Sequence, residues 1–225
     1  MPTAVFVHPH PDDEAIFTGG SMRRAADAGW RVVLVLATGG EEGTMPDWVT
    51  VDAADHRRME TAEAASVLGA AEVHHLGFRD SGMAGWATNR ASGALAASVD
   101  DATAVLARLL ERCGADAVVG QDPNGIYGHP DHVAVHRVVT GAAGAVGVDE
   151  VLEATIDRRW LGELRTERIR SGRLDPDAWC AAGLAGLGVA PVPGGWTAGV
   201  DDDPRPLVRV DLIDELVAKR TSGLM

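Results

Sequence analysis

The chain has 225 residues, a formal net charge of −13, 46% apolar residues, 4% aromatic residues and two cysteines. That length suits one large α/β domain whose core needs no disulfide staples, and the sparse aromatics imply a core of small and β-branched side chains. The acidity disfavours a nucleic-acid partner, no segment reaches the apolar length of a membrane span, and the opening MPTAVFVHPHPDDE lacks the basic and long apolar regions of a secretory signal.

A cytoplasmic protein is therefore expected, with Cys113 and Cys180 as reduced thiols, since they lack CxxC spacing. Thr3–His8 reads as a short apolar strand ended by Pro9. Ala15–Gly29 has helical spacing and a glycine stop. Arg31–Ala37, RVVLVLA, is apolar on both faces, as a doubly covered strand should be. Thr38–Asp52 reads as a long acidic, Gly-rich loop, Ala53–Leu68 as a helix stopped by Gly69, and Glu72–Leu76 as a strand. Gly77–Arg90 carries loop punctuation, Gly93–Cys113 reads as a long helix and Asp116–Gly120 as another buried strand. Gln121–Pro130 then reads as loop and Asp131–Val146 as helix. Beyond it, Glu150–Ile156 is strand-like, Trp160–Arg170 helix-like, and Leu207–Val210 a last strand before a helix from about Leu212.

Strands alternating with helices imply βαβ units. The expected fold is α/β, a Rossmann-like three-layer sandwich with a mostly parallel sheet and helices on both faces. The expected organisation is a single domain over residues 1–225, with a core at 1–146 and an extension at 147–225 packed on it. Ligands of such sheets sit at the carboxyl ends of the strands. Two unusual clusters fall there.

The first is His10-Pro11-Asp12-Asp13-Glu14, after the first strand. Zinc takes imidazole and carboxylate ligands readily. A His and an Asp three positions apart on a turn stiffened by Pro11 can converge on one ion. Asp12 then lies close to any water on that ion. Adjacent acids repel, and a divalent ion inverts that cost. A plain helix N-terminus would account for Asp13 and Glu14, but not for His10 or for His8 beside it.

The second is Tyr127-Gly128-His129-Pro130-Asp131-His132. Its histidine spacing lets one imidazole bind a metal while the other faces a substrate. Asp131 can accept from an imidazole N–H and fix its tautomer. Two loop histidines in a capping sequence are the plainer reading of this segment alone. Taken together, His10, Asp13 and His132 make a three-ligand set with one open position, the pattern of a catalytic zinc site.

PHPDDE near the start and GHPDH more than a hundred residues later resemble the LmbE-like, or PIG-L, family of zinc N-deacetylases. Further matches are Gly39–Gly43 (GGEEG), Arg57-x-x-Glu60 in a helix ending Leu68-Gly69, and Arg79–Gly85 (RDSGMAG). The resemblance covers roughly Ala4 to Val146. It implies His10, Asp13 and His132 as ligands of one zinc per chain, a place iron(II) can also take. It implies Asp12 as general base, a protonated His129 as oxyanion stabiliser with Asp131 as its partner, and Arg57, Asp80 and Tyr127 as substrate contacts. Family members often continue into an Ala-x-x-His-x-Ser-Gln-like segment, where this chain carries Lys219–Met225 (KRTSGLM), so one pocket wall is expected to be less complete.

The implied activity is hydrolysis of an N-acetyl or N-acyl amide on an amino-sugar or glycoconjugate, a small-molecule partner; family members are often homo-oligomeric. Two alternatives stay open: an amidase acting on a thiol conjugate or a longer acyl chain, and a catalytically silent sugar-binding homologue. An oxidoreductase built on a dinucleotide fold is poorly supported, because the first strand runs into HPHPDDE and not GxGxxG.

Overall fold

The computed structural model describes residues 1–45, 49, 52–155, 163, 166–168 and 170–172. Five strands form one sheet in the order β3-β2-β1-β4-β5, and every pairing is parallel. They are β1 (Thr3–His8), β2 (Arg31–Thr38), β3 (Ala70–Phe78), β4 (Ala117–Gln121) and β5 (Glu150–Ala154). The helices are α1 (Gly19–Asp27), α2 (Ala53–Leu68), α3 (Val99–Cys113), a four-residue turn α4 (Gly125–Gly128) and α5 (Pro130–Val146).

Side chains alternate across each strand, so the sheet divides the core in two. Ala4, Phe6, Val32, Leu34 and Leu36 face Met22 of α1 and Ala65 and Leu68 of α2. Val5, Val7, Val33, Val35 and Val118 face Leu106 and Leu110 of α3 and Val135, Val138 and Val139 of α5. This is the expected three-layer sandwich, and β1 and β2 are apolar on both faces because both faces are covered.

Strand order reverses at β1: the chain steps outward to β2 and β3, then returns to add β4 on the other side. That switch point opens a crevice at the carboxyl ends of β1 and β4. Both sequence clusters begin there.

Some boundaries differ from the sequence reading. β3 runs to Phe78 because it follows β2 through two register shifts to the pair Thr38↔Phe78. The expected helix at Gly93–Cys113 begins only at Val99, because Ala94 bridges Arg79 and Leu95 donates its N–H to Arg79 O at 3.0 Å. A 3-10 turn at Leu95–Ala97 connects the two. The helix expected from Ala15 opens with a π-turn over Glu14–Thr18 before α1, a feature common at functional sites. Cys113 is a free, buried cysteine. Cys180, most of the helix expected at Trp160–Arg170, and the strand and helix expected after residue 206 lie outside the described residues.

Candidate metal centre

The first cluster turns sharply off β1. Asp12 takes φ 101°, a region that L-residues rarely adopt. Its N–H donates to Glu14 Oε2 at 3.0 Å, and its carbonyl accepts from Ala15 N and Ile16 N, both at 3.1 Å. The twist turns Asp13 inward while the Asp12 side chain stays 45% exposed. Asp13 Oδ2 accepts from the His10 backbone N–H at 3.0 Å, which closes the turn.

The second cluster is set by a helix start. His129 is the N-cap of α5 and Pro130 occupies the first turn. His129 Nδ1 accepts the Asp131 N–H at 3.1 Å, so the ring is locked against the helix and its proton belongs on Nε2. The loop before it is held by Asp122, whose Oδ1 accepts from Asn124 N and Ile126 N at 2.9 Å and whose Oδ2 accepts from the Thr155 hydroxyl at 2.6 Å. Between them Ile126 is buried at φ 58° and ψ −65°, an outlier for a β-branched residue.

These segments meet. His10, His129 and His132 offer ring nitrogens that all lie within 4.8 Å of one another, and all three are buried. Asp13 Oδ2 lies 3.2 Å from His10 Nδ1 and 3.4 Å from His132 Nε2. For metal–ligand bonds of about 2.0–2.1 Å, the edges of a coordination tetrahedron are about 3.3 Å long. The two contacts of Asp13 Oδ2 have that length, so the expected ligands His10 and His132 both lie close to Asp13. The chemistry agrees, since a buried carboxylate beside two imidazole nitrogens is what such an ion requires.

Electrostatics sharpen the picture. Burial lowers His132 to about 3 and His129 to about 4, with His10 a further lowering influence on both, so both rings are neutral at neutral pH. The resemblance implies an imidazolium at His129; the buried ring, with Nδ1 accepting from the backbone, is instead a neutral Nε2–H donor. Burial opposes charge on His10, but Asp13, Asp131 and Asp80 overcome it and hold its pKa well above the ordinary imidazole value. Burial likewise opposes ionisation of Asp13, but His132 and His10 keep its carboxyl far below the usual range. Asp12 moves the other way: lost hydration, then the Asp13 charge, raise it to about 6 against the pull of Arg57. Burial also raises Glu14, to about 7.

Two assigned side chains hold protein partners around His10. Asp131 is expected to partner His129; its Oδ2 instead lies 3.2 Å from His10 Nε2 and accepts the Ser81 N–H at 2.9 Å. At the first turn of α5 its backbone N–H donates to the His129 ring, while its side chain reaches His10 and Ser81. Asp80 is expected to meet substrate hydroxyls. Its Oδ1 accepts from Gly82 N at 2.8 Å and sits 3.6 Å from His10 Nε2, while its Oδ2 accepts from Glu42 N at 3.3 Å. Asp80 thus ties the GGEEG loop to the Arg79–Gly85 loop behind His10. Arg57 does reach the site, with Nη1 3.5 Å from Asp12 Oδ2 and 3.4 Å from Pro11 O. Gly40 makes room for it: a Cβ there would stand 2.8 Å from Arg57 Nη1. The side chain of Tyr127 lies outside the described part of the structure.

The sequence reading did not single out Gln121. Its Oε1 lies 3.1 Å from His132 Nδ1 and its Nε2 lies 3.0 Å from His8 Nδ1. No motif marks it; only the pairing of β1 with β4 reveals it. A separate grouping of Glu72, His74 and Cys113 lies elsewhere, and there Arg31 already pairs with Glu72.

A doubly wound parallel sheet with a His/Asp metal-type site at its switch point defines the class of protein. The profile of the PIG-L family, described as GlcNAc-PI de-N-acetylase, matches residues 5–143, and the chain belongs to that family. Among curated relatives, the 1D-myo-inositol 2-acetamido-2-deoxy-alpha-D-glucopyranoside deacetylase of Streptomyces scabiei is 39% identical over 169 residues, 69% of this chain and 52% of that protein. The protein of the same name from Nocardia farcinica is 34% identical over 239 residues, 97% of this chain and 77% of that protein. The chain thus spans about half the length of the Streptomyces relative. Among solved structures, the conserved protein TT1542 from Thermus thermophilus superposes with TM-score 0.54 at 25% identity, covering 70% of this chain and 67% of that one. The N,N'-diacetylchitobiose deacetylase of Pyrococcus horikoshii shares the fold, with TM-score 0.52 at 22% identity over 83% of this chain and 80% of that one. No described helix is long and apolar enough to cross a membrane.

Proposed function

We propose that the chain is a zinc-dependent hydrolase that removes an N-acetyl, or similar N-acyl, group from an amino-sugar-containing small molecule. The observation that carries this reading is the convergence of His10 Nδ1 and His132 Nε2 on Asp13 Oδ2, at 3.2 and 3.4 Å, with Asp12 the preceding residue of the chain. Relatives at 34–39% identity named for deacetylating a 2-acetamido sugar support it.

His10, Asp13 and His132 would hold the ion. Zinc, when bound, supplies Lewis acidity and a water acidic enough to lose a proton near neutral pH. Asp12 is partly exposed and sits at the mouth of the site, so it takes the proton of the attacking water. Arg57, with Nη1 3.5 Å from Asp12 Oδ2, would help to hold that carboxylate in place. As charge develops on the amide carbonyl oxygen, His129 donates its Nε2–H to it; a preorganised donor of this kind is often worth about 3 kcal/mol. The N-terminus of α5 adds its partial positive charge on the same side. Asp12 then returns its proton to the departing amine. Arg57 and Tyr127 are the proposed contacts to substrate hydroxyls, and Asp80 is proposed to brace the loops behind His10.

The test is a mass-spectrometric screen of N-acetylglucosamine conjugates, with and without chelator. Chelator-sensitive loss of one acetyl group is expected. Turnover only of thiol conjugates or longer acyl chains would move the reading to an amidase of the same site. Ligand binding with neither turnover nor zinc would replace it with a silent sugar-binding protein.

A further inference from the structure

We propose that Gln121 is a positioning residue for His132, acting through a buried relay of Thr18, His8, Gln121 and His132 that fixes which imidazole nitrogen faces Asp13. This rests on the reading of His132 as a zinc ligand given above. The links are His132 Nδ1 to Gln121 Oε1 at 3.1 Å, Gln121 Nε2 to His8 Nδ1 at 3.0 Å, and His8 Nε2 to Thr18 Oγ1 at 2.7 Å. The chain ends where the Thr18 hydroxyl meets the Glu14 carbonyl at 3.2 Å. Every side chain in it is buried: His8, Gln121 and His132 are 0% exposed and Thr18 is 3% exposed.

The sense of the relay is set at the zinc-ligand end, and the Thr18 end is compatible with it. The Thr18 hydroxyl can give its one proton to the Glu14 carbonyl at 3.2 Å, which only accepts. Thr18 Oγ1 then accepts from His8 Nε2–H. His8 Nδ1 then accepts from the Gln121 amide NH2 at 3.0 Å. The Gln121 oxygen therefore faces His132 and requires a proton on Nδ1. Read from the other end, a ligand that binds through Nε2 must also carry its proton on Nδ1. Running the relay backwards would turn the Gln121 amide over and put a proton on His132 Nε2, where the ligand lone pair is needed.

Glutamine suits this post because a primary amide offers an acceptor and a donor side by side, the pair that two differently protonated imidazoles demand. A carboxylate only accepts. Backbone pairing supplies the placement: His8 and Gln121 each lie two residues beyond the registered pair Phe6↔Val119 at the carboxyl ends of β1 and β4. Phe17, in the π-turn beside Thr18, packs edge-on against the His132 ring with centroids 5.8 Å apart and limits its rotation.

The experiment uses the full chain loaded with zinc. Nitrogen-resolved NMR of the imidazoles should find His8 protonated on Nε2 and bare on Nδ1, a signature that a merely space-filling role would not impose. Gln121→Met keeps the volume and removes both bonds, and chelator competition should show zinc affinity lower by about 10–100-fold. His8→Asn, which offers an amide oxygen where Nδ1 sits, should stay within about threefold of wild type, against that 10–100-fold loss. Melting curves of each variant in excess chelator separate lost folding from lost affinity. A His8 proton on Nδ1 in the zinc-loaded protein, or a folded Gln121→Met chain that binds zinc like wild type, would overturn the relay. If Gln121→Met does not fold, the His8 tautomer alone decides. Wild-type protein that binds no zinc would sink the functional reading and the relay with it, whereas tight zinc binding indifferent to Gln121 would sink the relay alone.

Discussion

The segment after β1 brings charge and backbone strain to the crevice. It places Asp12, Asp13 and Glu14 side by side, bends Asp12 to φ 101° and opens its helix with a π-turn. The segment after β4 brings the imidazoles of His129 and His132 on a helix start, with His129 as cap and Pro130 in the first turn, together with the Asp131 carboxylate and the strained Ile126 at φ 58°. The supports of His10 and His132 differ. His10 leans on the carboxylates of Asp131 and Asp80, at 3.2 and 3.6 Å, whereas His132 leans on the uncharged Gln121 amide at 3.1 Å. The contrast lies in the supports: His10 is held by charge, part of it reaching across from Asp131, whereas His132 is held by an uncharged hydrogen bond that fixes direction.

The largest effect should come from the charged side. Asp12→Ala should keep its metal by elemental analysis while turnover falls by about 10²–10⁴-fold, the usual worth of a positioned base. The pH profile sharpens this. Asp12 must be ionised to accept a proton, and its pKa stands at about 6, so kcat/KM should fall as pH drops below that value. A nearby cation can only move this acid limb lower, so a limb well above pH 6 would remove Asp12 from the role. Next in size, Asp131→Asn takes the negative charge from behind His10. Metal affinity measured by chelator competition should drop by about 10–100-fold, and an unchanged affinity would erase the difference between the two supports. The smallest effect concerns strain. Asp12→Gly removes the penalty of a side chain at positive φ, so the inactive variant should be more stable by about 1 kcal/mol in thermal melts.

Much of this was legible in the sequence. β1 is bounded by Pro9, α2 by Gly69, and the two motifs by turn chemistry, so local signals placed them at strand ends. The proposed ligand set rests on the two motifs taken together and on the family resemblance, since each motif alone also reads as a helix start. What the sequence hides is contact at a distance. Asp131 meets His10 across 121 positions and Gln121 meets His8 across 113, and neither pairing leaves a local trace. The late start of α3 is hidden for the same reason, since Ala94 and Leu95 are drawn off by Arg79. The family resemblance paired Asp131 with the nearer histidine, and its contact with His10 shows only once the two segments are packed together.

β1 and β4 are interior strands, each with a neighbour on both sides, and the ligands sit just past their ends. A cation shared by Asp13 and His132 would clasp together segments that enter the fold more than a hundred residues apart. By mass action, free zinc at a thousandfold its dissociation constant would add about 4 kcal/mol to the folded state. A chain starved of zinc would then be more than idle: it would open more often and meet proteases sooner, so that metal supply would govern how long the protein lasts as well as whether it works.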